Sequence, residues 1–232
     1  GLPRPPAVRL GLRMLRGLRE DSARRIVAAR LERPFDSAED LARRAELEQH
    51  EMTLLAGADA LMSLSGHRRQ QVWDASALRT PPRLLRPAPV DEEILELAPA
   101  PEGEEIVFDY AATGLTLRRH PLALLRPLLA RRGLMSAQEL HDLPNGRLVR
   151  ACGIVTVRQQ PDTANGTIFL SLEDETGAVQ VVCWKRLRER QRKPLLHARL
   201  LAVYGTWQAE GELRSLIAGH LVDLTPLLGR LS

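Results

Sequence analysis

The stretch TIFLSLEDETGAVQVVCW, residues 167–184, alternates apolar and polar side chains on both sides of a short acidic turn. Ile168, Leu170 and Leu172 recur at every second position before the turn. After it the same spacing continues, at Val179, Val181 and Cys183. Because residues two apart on a strand lie on the same face, this pattern predicts an antiparallel hairpin with one buried face.

The sequence on either side of this hairpin predicts three more strands. Upstream, RLVRACGIVTVR at residues 147–158 has the same period and predicts an inward face formed by Val149, Ala151, Gly153, Val155 and Val157. Downstream, the basic helical stretch KRLRERQRK at residues 185–193 precedes a second hairpin, which turns near Glu210 and Gly211. Five strands with a helix between the third and the fourth is the order of an OB-fold barrel.

The residues that point outward from this barrel are the candidates for binding. Phe169, Ser171, Gln180 and Trp184 are expected on the outer surface of the second and third strands, where OB folds stack single-stranded bases. The groove would be completed by basic residues and by the loop after the first strand, namely Arg150, Arg158, Lys185, Arg186, Thr163 and Asn165. The alternative for Trp184 is that it caps the barrel beneath the following helix.

The N-terminal part, residues 7–80, predicts helices. In LRMLRGLREDSARRIV, residues 12–27, the residues that fit a helix-hairpin-helix pattern are Leu12, Leu15, Gly17, Leu18 and Ala23. In such a motif, exposed backbone amides hold a nucleic-acid phosphate. Arg19 stands where the second glycine is usual, and a positive φ there would carry a steric cost.

Charge favours a phosphate contact at this hairpin, because residues 1–33 hold nine arginines and three acids. The candidate DNA-binding residues here are Arg13, Arg16, Gly17, Leu18, Arg19 and Arg24. Simple helix packing is the alternative. The whole chain carries a net charge of +4, and all but two of its 33 basic residues are arginine, a bias that a GC-rich genome also produces.

Composition changes abruptly between the two halves. Residues 79–105 contain six prolines, and from Asp91 onward this stretch has seven acids and no base, which predicts an extended, solvated linker. The predicted fold class is therefore α+β. Its parts are a helix-hairpin-helix region at 1–80, a Pro-rich acidic linker at 81–105, a short helical connector at 106–143 and an OB-fold domain at 144–232.

Several kinds of site are not predicted. Cys152 and Cys183 have no metal-ligand spacing, so we expect two buried free thiols in a reducing, cytoplasmic compartment. The acidic LEDETG, residues 172–177, is interpreted as a solvated turn and not as a metal site. No P-loop, no nucleophile-and-base spacing, no membrane-length apolar run and no signal peptide is present, so no catalytic residue, cofactor or membrane contact is predicted.

The order of these motifs resembles the C-terminal part of bacterial C-family DNA polymerases, the alpha subunits of polymerase III. The resemblance rests on RLGLRMLRGLREDSARRIVAAR, RPFDSAEDLARRA, LLAGADAL, GLTLRRHPLALLRPLL and the strand region from RACGIVTVRQQP to VQVVCW. TLRRHPLALLRP is closest to the error-prone branch of the family, which works in translesion synthesis and damage-induced mutagenesis.

This resemblance implies a function and several partners. The hairpin region would hold duplex DNA, and the OB domain would lie near the single-stranded template. The palm acids that bind Mg²⁺ would lie before Gly1, and because the chain starts without methionine we expect it to be part of a longer protein. The clamp-binding peptide of replicative members has no counterpart between Thr80 and Glu105, so contact with the sliding clamp is expected through a partner resembling a Y-family polymerase.

Two other functions remain open on the sequence. One is a protein-interaction scaffold whose OB face binds a partner strand or peptide. The other is a stand-alone single-strand-binding protein.

Overall fold

The computed structural model of the chain describes residues 10–77, 97–211 and 213–231. The chain divides into two units, Gly1–Leu117 and Arg118–Ser232. The first is helical where it is described, and the second is built on a closed five-stranded barrel, so the predicted α+β class is confirmed.

The helical unit begins with a 3₁₀ turn at Leu12–Met14. Its helices are α1 (Glu20–Glu32), α2 (Ala38–Arg44), α3 (Gln49–Gly57), α4 (Met62–Ser65), α5 (Arg68–Ala77) and α6 (Glu102–Ala112). The core is made by apolar residues spaced three and four apart on these helices, among them Ile26, Ala29, Leu41, Met52 and Leu55. The predicted cap at Ser37 is present, since its hydroxyl accepts a hydrogen bond from the Asp40 amide and so starts α2.

Helix α6 changes the predicted boundaries. Composition predicts that the acidic run stays extended through residue 105, but the helix begins at Glu102. Acidic side chains in a first turn stabilise a helix through its dipole, and α6 is also paired with α5, because Arg68 binds the carboxylates of Glu105 and Asp109. Helix α6 therefore belongs to the helical unit. The rest of the predicted linker, residues 81–96, lies outside the described residues.

The second unit contains the predicted barrel. Its strands are β1 (Leu148–Gln159), β2 (Ile168–Asp174), β3 (Gly177–Cys183), β4 (Leu200–Glu210) and β5 (Leu213–Asp223). They are ordered β1-β2-β3-β5-β4, and the parallel pairing of β3 with β5 closes the barrel. Two short helices, α9 (Lys185–Arg190) and α10 (Arg192–His197), stand between β3 and β4. The six inward residues predicted for β2 and β3 are all buried.

A second apolar layer covers part of the barrel from outside. Helix α7 (Pro121–Arg131) buries its leucines in a cluster with outward residues of β1 and β4 and with the C-terminal segment, including Cys152, Leu200, Ala202, Leu224 and Leu227. A short α8 (Ala137–His141) follows, with the predicted capping box at Ser136 and Glu139. Residues 118–143 are therefore part of the barrel unit and not a connector, because their leucines cover a strand face that is itself apolar.

A β-bulge corrects the predicted face of β1. Val155 lies opposite Leu172, whereas Val157 lies opposite Ser171, so the bulge adds one residue between them. This extra residue reverses the alternation, and Val157, predicted inward, is 40% exposed on the outer face.

Candidate nucleic-acid interface

The outer face of β2 and β3 presents an aromatic residue as predicted. Phe169 is 37% exposed, and its neighbour on β3 is the half-buried Val182. Next to this pair, the Gln180 side-chain amide donates a 3.0 Å hydrogen bond to the Ser171 hydroxyl, so both polar side chains lie on the same outer face. With Val157 beside Ser171 on β1, these residues form an apolar and polar surface that we call the Phe169 face.

A second aromatic residue and a set of cations border the Phe169 face. Trp184 follows β3 as the N-cap of α9 and is 55% exposed, so it is not covered by the following helix. Lys185 and Arg186 come next and are exposed. Arg188 donates a 3.4 Å hydrogen bond to the Gly166 carbonyl, which connects α9 to the loop that holds Thr163 and Asn165. An exposed ring followed by two cations can contact a base and its phosphate.

The structure does not leave Arg158 available for this face. Its guanidinium donates to the backbone carbonyls of Leu195, at 3.0 Å, and Ala198, at the end of α10. Burial lowers the pKa of Arg158. The bulge explains the difference, because it places Arg158 opposite the inward Leu170.

Arg150 is not part of the Phe169 face either. It lies near the start of β1, opposite Tyr204 of β4, whereas the β1 residue opposite Phe169 is Gln159. Nine residues of strand separate Arg150 from Gln159, or about 30 Å at ~3.3 Å per residue. The predicted groove thus keeps its aromatic residues and its helix cations but loses both of its β1 arginines.

The hairpin of the helical unit has the backbone that the motif needs. Gly17 has a φ of +87°, in the region that favours glycine. Arg19, which replaces the usual second glycine, has a φ of −72° as the N-cap of α1, so it carries no steric cost. The N-cap Arg19 makes no side-chain hydrogen bond to the first turn of α1. The amides of that turn lie at the helix end that attracts anions, and the turn also carries the acids Glu20 and Asp21.

The arginines of this hairpin have protein partners that the sequence did not reveal. Arg19 pairs with Glu51 at 3.3 Å, and Arg24 pairs with Glu20 at 2.7 Å. Arg16 lies against Gly114 near the end of α6, while Arg13 is exposed. The local positive excess is therefore smaller than a count of residues 1–33 suggests. Leu18 is half-buried against the helical core, so it packs as well as shaping the turn.

Glu51 is the residue that the sequence interpretation missed. Its carboxylate is buried, and burial would raise its pKa, but hydrogen bonds from Ser22, the Glu48 amide and Arg19 together lower that pKa. Its position three residues after the N-cap Glu48 was the available signal, since this is the acidic position of a capping box.

The acidic turn between β2 and β3 is not solvated as predicted. Asp174 is buried, and its carboxylate accepts hydrogen bonds from the amides of Thr176, Gly177 and Ala137. Arg126 of α7 pairs with Asp174 and Glu175. The cluster thus fastens α7 and α8 to the barrel.

The described ranges contain neither a cluster of metal ligands nor a membrane-length helix. Among residues 10–77, 97–211 and 213–231, no three His, Cys, Asp or Glu side chains are grouped to hold a metal ion. None of the helices in those ranges has the length and hydropathy of a membrane span. Cys152 and Cys183 are free and buried there, and burial raises the pKa of each thiol to about 12.

Two family descriptions match the two units. Residues 3–71 match the family described as "Helix-hairpin-helix motif". Residues 149–224 match the family described as "OB-fold nucleic acid binding domain". Among solved structures, the asparaginyl-tRNA synthetase of Pyrococcus horikoshii aligns with 39% of this chain and 23% of its own at 24% identity and a TM-score of 0.34, a likeness too slight to carry an argument.

Close relatives are found among curated proteins. The chain is 58% identical to a protein of Ralstonia nicotianae named "Error-prone DNA polymerase" over 98% of its own length and 21% of the relative. A protein of the same name from Ralstonia pickettii is 56% identical over 98% of this chain and 21% of its own length. A third, from Bordetella parapertussis, is 55% identical over 98% of this chain and 22% of its own. The chain thus spans about a fifth of the length of these relatives.

Proposed function

We propose that this chain, a homologue of about one fifth of an error-prone DNA polymerase, is a DNA-holding part of such a polymerase and carries no catalytic site of its own. The parent enzyme would copy damaged templates in translesion synthesis, with the Mg²⁺-binding acids in the remaining four fifths. The support for this part is that helix-hairpin-helix and OB-fold families both match and that the relatives bear the polymerase name.

The observation that carries the proposal is the Phe169 face with its border of cations. Phe169 and Trp184 together leave two large rings exposed on one side of the barrel, and apolar patches bordered by polar residues are typical of interaction sites. Bases of any sequence can stack on such rings, while Lys185 and Arg186 follow the phosphates. Single-stranded template is the ligand that fits this combination.

We infer a second DNA contact at the hairpin before α1, which would bind duplex DNA. The uncapped first turn of α1 offers backbone amides to one phosphate, and the exposed Arg13 adds a cation nearby. Arg24 holds an exposed ion pair with Glu20, which is weak in water, so a phosphate can replace that carboxylate at little cost. The Arg19 side chain is also exposed and can contact a phosphate while it stays beside the buried Glu51.

Fluorescence anisotropy with single-stranded and with primed DNA across a salt series tests the proposal. Phosphate binding predicts a linear fall of log affinity with log salt, with a slope of about −0.9 per phosphate in duplex and about −0.7 in single strands. Absence of binding to both DNAs at low salt would reject it. A primer-extension assay with Mg²⁺ and all four nucleotides is expected to show no incorporation by this chain.

A second function, docking of a partner protein, is favoured by a separate surface of the helical unit. Helices α5 and α6 border a concavity of about 220 Å³ whose wall includes Trp73, Val72 and Phe108. Trp73 and Phe108 are large and exposed, and such residues are typical anchors of protein interfaces. The partner expected here is the protein resembling a Y-family polymerase, which would connect the chain to the sliding clamp.

Double substitution Trp73→Ala with Phe108→Ala separates the two functions. If the docking proposal holds, this variant binds DNA as the unchanged chain does but no longer captures the purified partner. The Phe169→Ala variant should behave in the opposite way. Capture that survives the double substitution would rule out this surface as the docking site.

A further inference from the structure

A concavity on the barrel unit lies away from the Phe169 face. It has a volume of about 470 Å³, and its lining residues are Gly133, Met135, Leu148, Val149, Arg150, Tyr204 and Gly205. Pockets that bind small ligands have volumes of roughly 300–1,000 Å³. Arg150 lies seven residues before Val157, the nearest β1 residue of the Phe169 face, which is about 23 Å of strand at ~3.3 Å per residue, so the concavity lies towards the other end of β1.

Arg150 is held in place by a ring and not by an acid. Its guanidinium carbon lies 5.5 Å from the centre of the Tyr204 ring, and that ring meets the His220 ring edge-on at 5.7 Å. A Cβ at Gly133 would lie 4.0 Å from Arg150 Nη1, so the guanidinium passes close to this glycine. Within the described ranges no carboxylate pairs with Arg150. The ring therefore orients the guanidinium, and its N–H groups make no ion pair with a carboxylate of the described residues.

The one charged residue in the lining of the concavity is a cation, Arg150. Arg131 and Arg132 end α7 immediately before Gly133, and Arg147 precedes Leu148; all three arginines are exposed. None of the residues that line the concavity is acidic. An anion placed on Arg150 would therefore meet no repelling carboxylate in the lining.

An apolar wall stands beside the cation. Leu148 is 84% exposed, so the barrel core does not use this side chain, and Met135, which is half-buried against that core, also lines the concavity. A flat apolar group can be covered by these two side chains while a charged group reaches Arg150. A planar guanidinium stacked on a ring is matched to the oxygens of a phosphate.

We propose that this concavity is a nucleotide site, in which Arg150 binds the phosphate ester and Leu148 and Met135 cover the base. The ligand is either a free nucleotide or one nucleotide unit of a single strand, because both present the same chemistry. The site goes beyond the proposed function, which assigns the template to the Phe169 face, and it does not depend on that assignment.

Calorimetric titration of the whole chain with deoxyadenosine monophosphate, deoxyadenosine, inorganic phosphate and an oligothymidylate tests the site. We expect the monophosphate to bind more tightly than the nucleoside or the phosphate alone. Arg150→Ala should weaken that binding about tenfold or more, since the lining then has no charged donor for the phosphate. Arg150→Lys should recover only part of it, because an ammonium is a point charge without the planar fork by which a guanidinium stacks on a ring and binds two oxygens at once.

The controls keep the outcomes distinct. Arg230→Ala removes an exposed arginine of the same unit that does not line the concavity, so it should change nothing. Phe169→Ala should leave monophosphate binding intact, which separates this site from the Phe169 face. Thermal melting of Arg150→Ala should match the unchanged chain, because the side chain is exposed.

Two results would support the site and one would overturn it. Arg150-dependent binding of the monophosphate identifies a free nucleotide as the ligand. Arg150-dependent binding of the oligothymidylate alone identifies the phosphodiester of a strand. If neither ligand at millimolar concentration depends on Arg150, the concavity is not a nucleotide site.

Discussion

The guanidinium of Arg68 and the carboxylate of Asp109 form a buried ion pair between residues 41 positions apart in the sequence. Arg68 also bridges to Glu105 at 2.9 Å, so one cation serves two carboxylates of α6. Arg68→Leu leaves both acids buried without it, and we expect a loss of about 3–5 kcal/mol of unfolding free energy.

Arg69 provides the matched control for this prediction. Like Arg68 it lies on α5 and pairs with an acid of α6, here Glu104 at 2.7 Å, but this ion pair is much more exposed. Arg69→Leu should cost about 0–1 kcal/mol. Urea unfolding, monitored by circular dichroism, gives the free energy of unfolding of both variants. Equal losses of that free energy would show that the burial of the Arg68 ion pairs does not set their contribution to stability.

Asp40 makes the stability of the helical unit sensitive to acid. Burial alone would raise its pKa, but hydrogen bonds from Arg43 and Arg44 outweigh this and lower it from 3.8 to about 2. A lowered pKa in the folded state contributes stability above pH 3.8, and that stability is lost as the pH falls towards 2. Thermal melting between these pH values should show a smaller acid-induced fall in Asp40→Asn, and equal falls would contradict this assignment.

Gly205 has no room for a side chain. A Cβ there would lie 2.0 Å from the backbone oxygen of Ile217 on β5, at the place where the β4–β5 register shifts. Gly205→Ala should therefore destabilise the barrel by about 3 kcal/mol or more, because the clash is with backbone. Gly219→Ala is the matched control, since its Cβ would meet only the Tyr204 oxygen at 3.5 Å. Similar melting temperatures for the two variants would contradict the prediction.

Phe169→Ala should weaken single-strand binding without melting the barrel. Stacking on an exposed ring is worth on the order of 1–3 kcal/mol per base, which corresponds to a loss of affinity of about 5-fold or more. Leu213→Ala removes another exposed apolar side chain of the same barrel and should bind as the unchanged chain does. Anisotropy and thermal melting of both variants decide this, and unchanged affinity in Phe169→Ala would remove the Phe169 face from DNA binding.

The hairpin prediction concerns duplex DNA. Replacing Arg13, Arg19 and Arg24 by glutamine should flatten the salt dependence of duplex affinity by about 0.9 in slope for each phosphate that the variant no longer neutralises. Glutamine is chosen because a reversed charge at Arg19 would repel the buried Glu51. Arg30→Gln, in the last turn of α1, should leave the slope unchanged. An unchanged slope in the triple variant would mean that the hairpin packs against the helical core and does not contact the phosphates of duplex DNA.

Much of the fold follows from local patterns in the sequence. The alternation of Ile168, Leu170 and Leu172 is sufficient to predict which side of β2 is buried, and the outward position of Phe169 follows from it. The caps at Ser37 and Ser136 are also predictable, because a side chain that binds an amide three residues away needs no distant partner.

What the sequence by itself determined was therefore the class of each element, the barrel order and the direction of the Phe169 ring, since hydrophobic periodicity depends only on near neighbours along the chain. The tertiary structure decided which charged groups remain available. After the bulge, Arg158 donates hydrogen bonds to carbonyls at the end of α10. Arg126 forms an ion pair with Asp174 in the turn between β2 and β3, and Arg19 forms one with Glu51. These partners are distant in sequence, and the free energy of a charge depends on its burial and its neighbours, which no local pattern encodes.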